Sequence, residues 1–151
     1  MTDHPHDLPS DPPAGFEPLA TRCDLENHIG PLFVRTEGDT GLIGFRVQQR
    51  HLNRAGMCHG GFLATLADMN VTPVLRSRGT SLLSPTVSMS LDYIAAAKLG
   101  TWVQARSAIL RQTRRLLFSE CHITADDELV VRANVIYRIT PAEEKDVKSV
   151  A

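Results

Sequence analysis

The sequence predicts an α+β domain, one long helix set against an antiparallel sheet, and three observations carry that prediction. Residues 61–77 form an apolar stretch with helical spacing, and residues 87–93 alternate in period two. Three further strand-like segments follow at 102–111, 116–124 and 129–139, separated only by short turns. A chain of 151 residues accommodates one domain and leaves no room for a second.

The first twenty residues hold Pro5, Pro9, Pro12, Pro13 and Pro18 among His, Asp and Ser. Such a composition buries too little apolar area to offset ordering, so residues 1–20 read as a flexible tail. The domain proper is then 21–140, and the charge-rich run after Pro141 makes 141–151 a second, fraying tail. Segments 32–37 and 42–49 read as strands of a hairpin, with Gly38-Asp39-Thr40-Gly41 supplying the turn.

In the helical stretch, Phe62, Leu63, Leu66, Met69 and Asn70 fall on one side, joined by Pro73. Ala64, Asp68, Val71 and Leu75 share the opposite side, and no Lys, Arg or Glu occurs between Gly61 and Leu75. A helix apolar nearly all round is buried nearly all round. The chain's own sheet covers one face, and the expected cover for the other is a second subunit. Pro73 removes one backbone bond and is expected to kink or shorten the helix. Beyond it, Val87, Met89, Leu91 and Tyr93 alternate with Ser88, Ser90 and Asp92, the pattern of a half-buried strand. The inferred order is strand, strand, helix, then four strands as a meander.

A formal charge of -1 gives no global basic field for nucleic acid or an anionic membrane. Cys23, Cys58 and Cys121 form no paired framework, which suits a reducing compartment, and the cytoplasm is the expected location. The N-terminus lacks the pattern of a signal peptide, and the apolar stretch 62–75 is broken by Asp68 and Asn70 and is too short to span a bilayer.

The chemistry is expected where Asn53-Arg54-Ala55-Gly56-Met57-Cys58-His59-Gly60-Gly61 enters the helix. Helix N-termini expose unpaired N–H groups, so the Gly60 and Gly61 amides form a natural cradle for a developing oxyanion, unless Gly-Gly is only a turn. Asp68 strengthens the functional reading. A carboxylate among Ala64, Val71 and Leu75 either finds a partner or becomes a candidate base or water-orienting group. His59 reads as a loop residue that shapes the turn, or as a core histidine.

A zinc site built from Cys58-His59, Cys121-His122 and Cys23 lacks ligand spacing, because adjacent strand residues point to opposite faces. The same argument disfavours Cys58 as a nucleophile with His59 as base. Arg111, Arg114 and Arg115 gather at a predicted strand tip, either as a solvated hairpin end or as a patch for substrate phosphates.

The run Asn53-x-x-Gly56-x-x-His59-Gly60-Gly61, followed by Ala64-Thr65-Leu66-Ala67-Asp68, resembles the signature of hotdog-fold acyl-CoA thioesterases of the phenylacetate-degradation type. The resemblance extends over most of 32–139, including Asp92-Tyr93 and Ala97-Lys98-Leu99-Gly100. It implies a central helix wrapped by a roughly six-stranded antiparallel sheet, with active sites at a homodimer interface and tetramers often built from two dimers. It implies that Asn53 and the Gly60 amide polarise the thioester carbonyl, with His59 in the same motif. Asp68 of the other subunit activates the water, and Thr86 helps to place it. Gly61, Thr65, Arg114 and Arg115 are the expected substrate contacts. No metal or cofactor is implied, and acyl-CoA is the expected substrate. Two rivals remain: a non-catalytic acyl-CoA-binding domain, and a hotdog dehydratase or hydratase, since one fold hosts several functions.

Overall fold

The computed structural model describes residues 9–77, 82–83 and 85–141. Its main sheet has seven antiparallel strands: β1 (Glu17–Pro18), β2 (Phe33–Glu37), β3 (Thr40–Arg46), β5 (Thr86–Tyr93), β6 (Trp102–Gln112), β7 (Leu116–Ala125) and β8 (Glu128–Arg138). A two-residue strand β4 (Leu82–Leu83) pairs separately with β9 (Thr140–Pro141). The helices are α1 (Asp24–Ile29), α2 (Gly60–Asp68) and α3 (Thr72–Ser77). This is the predicted α+β architecture, a bent helix against an antiparallel sheet.

The sheet order is β1-β2-β3-β6-β7-β8-β5. Of the four strands expected to form a meander only β6, β7 and β8 do so, and the expectation is corrected. β5 lies beyond β8 at the edge, and residues 94–101 carry the chain back to β3 across the foot of the sheet. That crossing is fixed by backbone bonds from Cys58 to Ala97 and from Gly100 to Val47. The β2–β3 hairpin turns at Gly38, whose φ of +58° needs glycine, and closes with Glu37 opposite Thr40.

The helical stretch is in two pieces. α2 ends at Asp68 and α3 starts at Thr72, with Pro73 in the first turn, where its missing N–H costs nothing. Because the direction changes at 69–71, Val71 and Leu75 turn into the chain's own core with Leu63, Leu66 and Ala67. The expected continuous face Ala64, Asp68, Val71, Leu75 therefore does not exist. Along β5 the alternation also holds only in part: Met89 and Leu91 pack against the core, while Val87 is 59% exposed and Tyr93 56%. A register shift between Thr86 and Ser88 takes Val87 out of step.

Residues 1–8 and 142–151 of the expected tails lie outside the described residues. The segment from residue 9 to Ala20 is not free. β1 pairs with β2, and Phe16 meets Trp102 edge to face at 5.0 Å on the sheet's outer surface. The guanidinium groups of Arg35 and Arg46 donate to the carbonyls of Ala14 and Asp11. A proline-rich strap with no core of its own is held by an aromatic pocket that the sheet provides. α1, also absent from the sequence expectation, starts on Asp24 and Glu26, acids suited to a helix N-terminus.

Gly44 sits under the covered Trp102: a Cβ there would meet the indole at 2.5 Å and the Val103 carbonyl at 2.9 Å. Gly44→Ala is expected to lower stability by about 1–3 kcal/mol, read as an earlier urea midpoint at unchanged slope.

Candidate active site

The approach to α2 is shaped by hydrogen bonds that use one side of each polar group and leave the other. The Asn53 amide donates to the Met57 carbonyl, and its side-chain oxygen accepts from the Ala55 and Met57 amides at 2.9 and 3.2 Å. The loop thus consumes the acceptor of Asn53 and leaves its NH2 as the group to offer a ligand. Gly56, at φ +74°, allows the chain to turn within this loop.

His59 is the N-cap of α2, with its ring Nδ1 accepting from the Gly61 amide at 2.9 Å. Its carbonyl accepts from Phe62 and Leu63. Of the four first-turn amides, three are thereby satisfied, and that of Gly60 has no acceptor among the described residues. The expected two-amide cradle is corrected to one, because the histidine has taken the Gly61 N–H. His59 itself is exposed and serves the turn, so it is not a core histidine. Gly60 is also packed under Tyr93, whose hydroxyl donates to the Gly60 carbonyl at 2.8 Å and whose ring lies 3.2 Å from where a Cβ would stand. A larger residue at 60 would press on that ring and shift it by a few tenths of an ångström.

The other end of α2 carries Asp68, half-buried, with the Thr86 hydroxyl donating to its Oδ1 at 2.5 Å. Its backbone carbonyl accepts from the Tyr137 hydroxyl at 2.7 Å. The Asn70 side chain donates to that same hydroxyl at 3.0 Å and to the Ala67 carbonyl at 2.6 Å. The sequence reading leaves Asn70 unassigned and does not single out Tyr137. A tyrosine at a core position of a strand is the available signal, since a buried hydroxyl requires a partner.

The structure joins Asp68 to Thr86 by a hydrogen bond, and sets His59 as the cap directly before Gly60, with Asn53 in the loop that leads to them. Gly60 and Asp68 are the first and last residues of α2, about 12 Å apart at 1.5 Å per residue. Thr65 lies between, its hydroxyl donating to the Gly61 carbonyl at 3.0 Å. Arg114 and Arg115 are exposed in the β6–β7 turn. That turn is at the Thr86 end of the sheet: the Arg115 carbonyl accepts from Ile139, and the neighbouring Arg138 donates to Pro85.

Burial raises both Cys58 and Cys121 to about 12, which leaves almost no thiolate near neutrality and argues against a Cys58 nucleophile. Among the described residues no three His, Cys, Asp or Glu side chains converge as a metal site requires, and no helix is long and apolar enough to cross a membrane.

A glycine-led helix packed against one antiparallel sheet is a helix-on-sheet arrangement of hotdog type. The thioesterase superfamily model matches residues 55–136, more than half of the chain, so the chain belongs to that superfamily and is a thioester hydrolase. A putative esterase of Pseudomonas aeruginosa is 29% identical over 84% of this chain and 96% of its own. Acyl-coenzyme A thioesterase 13 of Mus musculus is 32% identical over 52% of this chain and 56% of that protein. Among solved structures, a mutant of the phenylacetic acid degradation protein PaaI from Thermus thermophilus superposes with TM-score 0.66, covering 76% of this chain and 96% of that one at 24% identity. The fold is thus that of the PaaI-type hotdog thioesterases.

With two of three cysteines buried and one, Cys23, exposed, a thiol reagent at pH 8 should modify one group per folded chain rapidly. All three should react in denaturant; rapid labelling of two in the native protein would contradict the burial of Cys58 or Cys121.

Proposed function

We propose that the protein hydrolyses acyl-CoA thioesters at sites shared between two copies of the chain. The observation that carries this reading is the separation of the two halves of the machinery along α2. The donor end holds the free Gly60 amide and the Asn53 NH2, suited to a thioester oxygen as it gains charge. The base end holds the Asp68 carboxylate with one oxygen bound by Thr86 and the other left to accept from water. About 12 Å separates them within one chain, too far to act on one carbonyl carbon.

A two-fold related copy removes the difficulty. β5 is an edge strand with Val87 and Tyr93 exposed, and its outer backbone groups invite another strand. Antiparallel pairing of two β5 strands about a point between Met89 and Ser90 sets Thr86 of one copy opposite Tyr93 of the other. Thr86 binds Asp68 and Tyr93 binds Gly60, so the pairing brings each carboxylate toward the other copy's glycine amide. Water attacks the thioester carbon as Asp68 accepts its proton, the oxyanion is met by Gly60 and Asn53, and the thiolate leaves to be protonated. His59 holds the cap and Gly61 that keep Gly60 free, Thr65 lines the groove between the ends, and Arg114 and Arg115 meet the phosphates of CoA. The cytoplasm, where acyl-CoA is made and used, is the compartment this reading assigns, and tetramers of two such dimers are compatible with it.

Support for acyl-CoA as the substrate comes from the thioesterase superfamily match and from the named activity of the mouse relative. Asp68→Asn is expected to lower thiol release from a panel of short, medium, long and aromatic acyl-CoAs by at least about 10²-fold while the oligomer persists. Unchanged turnover would end the role of Asp68, and binding without turnover for every chain tested in the parent would favour the non-catalytic alternative. Co-expression of Asp68→Asn and Asn53→Ala chains is expected to restore about a quarter of parent activity, since half the dimers carry one intact site of two. If both groups served one site within a chain, the mixture would stay as inactive as its parts.

A further inference from the structure

We infer that Tyr137 is a positioning residue for Asp68, anchored by Asn70, which fixes the carboxylate by holding the last carbonyl of α2. The inference rests on the proposed role of Asp68 and deepens it.

Helix ends leave carbonyls without partners, and the break between α2 and α3 puts this end inside the protein, where such carbonyls are costly. Here they are met by side chains. The Asn70 side chain reinforces the bond its own amide makes to the Ala67 carbonyl, and Tyr137 reaches from β8 to the Asp68 carbonyl. Asn70 is 1% exposed and Tyr137 2%, so the arrangement is buried throughout. The Asn70 amide also donates to the tyrosine oxygen, which orients the hydroxyl hydrogen away from Asn70 and toward Asp68. Burial first, and the Asp68 carboxylate after it, push the Tyr137 hydroxyl well above the ordinary phenol range, so it remains a donor at every working pH.

Asp68 is thereby held at two points that belong to different strands. Thr86 of β5 holds the carboxylate and Tyr137 of β8 holds the main chain, and the two strands are paired at Thr86 and Tyr137 themselves. A phenylalanine at 137 would fill the core as well. The hydroxyl meets the Asp68 carbonyl, Asn70 and Ser119, and the carbonyl it meets is that of the residue assigned to the water. Among the described residues the buried Asn70 oxygen has no partner, so the bonds this side chain makes there are those its NH2 donates.

The test is Tyr137→Phe, with Ser107→Ala as the control. Ser107 is a buried hydroxyl that donates to the Gly41 carbonyl, away from α2, and its loss removes a bond of the same kind. Tyr137→Phe is expected to lower kcat by about ten- to a hundredfold with KM within twofold of the parent, because the carboxylate is displaced and the substrate contacts are not. Ser107→Ala should leave kcat unchanged. In an Asp68→Asn background, Tyr137→Phe should cause no further loss of the residual rate.

Parent kcat in Tyr137→Phe, or a matching fall in Ser107→Ala, or the same factor lost again in Asp68→Asn, would overturn the inference. Should Tyr137→Phe not fold, Asn70→Ala is judged by the same split, with about a threefold fall in kcat expected and an unchanged kcat overturning it. Full turnover in Asp68→Asn would remove the reading beneath the inference. Lost turnover there beside an intact kcat in Tyr137→Phe would overturn the inference alone.

Discussion

The site depends on α2 being clamped at both ends by tyrosine hydroxyls. The chain has two tyrosines, and each spends its hydroxyl on a carbonyl at one terminus: Tyr93 of β5 on Gly60, and Tyr137 of β8 on Asp68. A nine-residue helix has little stability of its own, since nucleation is costly and only a few bonds follow. Its position is set by the apolar face of Leu63, Leu66 and Ala67 and by these two bonds, which tie it to neighbouring strands of one sheet. Glycine at 60 and asparagine at 70 are the local consequences. One makes room for a ring, and the other secures a hydroxyl.

The same clamp explains which polar groups remain for chemistry. Around the N-terminus nearly every group is committed: His59 to Gly61, Asn53 Oδ1 to its own loop, and the Gly60 carbonyl to Tyr93. What is left points one way, a single amide and a side-chain NH2, both donors. At the C-terminus the commitment is reversed, and the group left is an acceptor, the second carboxylate oxygen of Asp68. In the proposed function this donor end and acceptor end serve a reaction completed between two molecules of the same chain, paired along the exposed edge of β5.

Much of this was legible in the residues. Alternation located β5 and short turns marked off β6 to β8, and the absence of Lys, Arg and Glu from 61–75 marked an apolar helix set against the sheet. The motif from Asn53 to Asp68 pointed to the superfamily, because a glycine-led helix start and an acid at fixed separation are local properties of the chain. Such features survive in sequence because their physical cause lies within one or two turns of backbone. Pro73 was equally readable as an interruption, although the sequence could not say that the helix would restart around it.

What the sequence by itself determined is the identity of the elements: strands, a glycine-led helix start, and an acid eight residues on. Tertiary structure alone decided the neighbours. β5 left the expected meander for the sheet edge, Val71 and Leu75 turned inward once the helix broke, the Pro-rich strap found Trp102, and His59 removed the Gly61 amide from the cradle. Tyr137 and Asn70 lie 67 residues apart and meet only because β8 passes beneath the break in the helix. Backbone periodicity is written in near neighbours along the chain, whereas the partner of a buried hydroxyl is chosen by whichever strand is laid beside it.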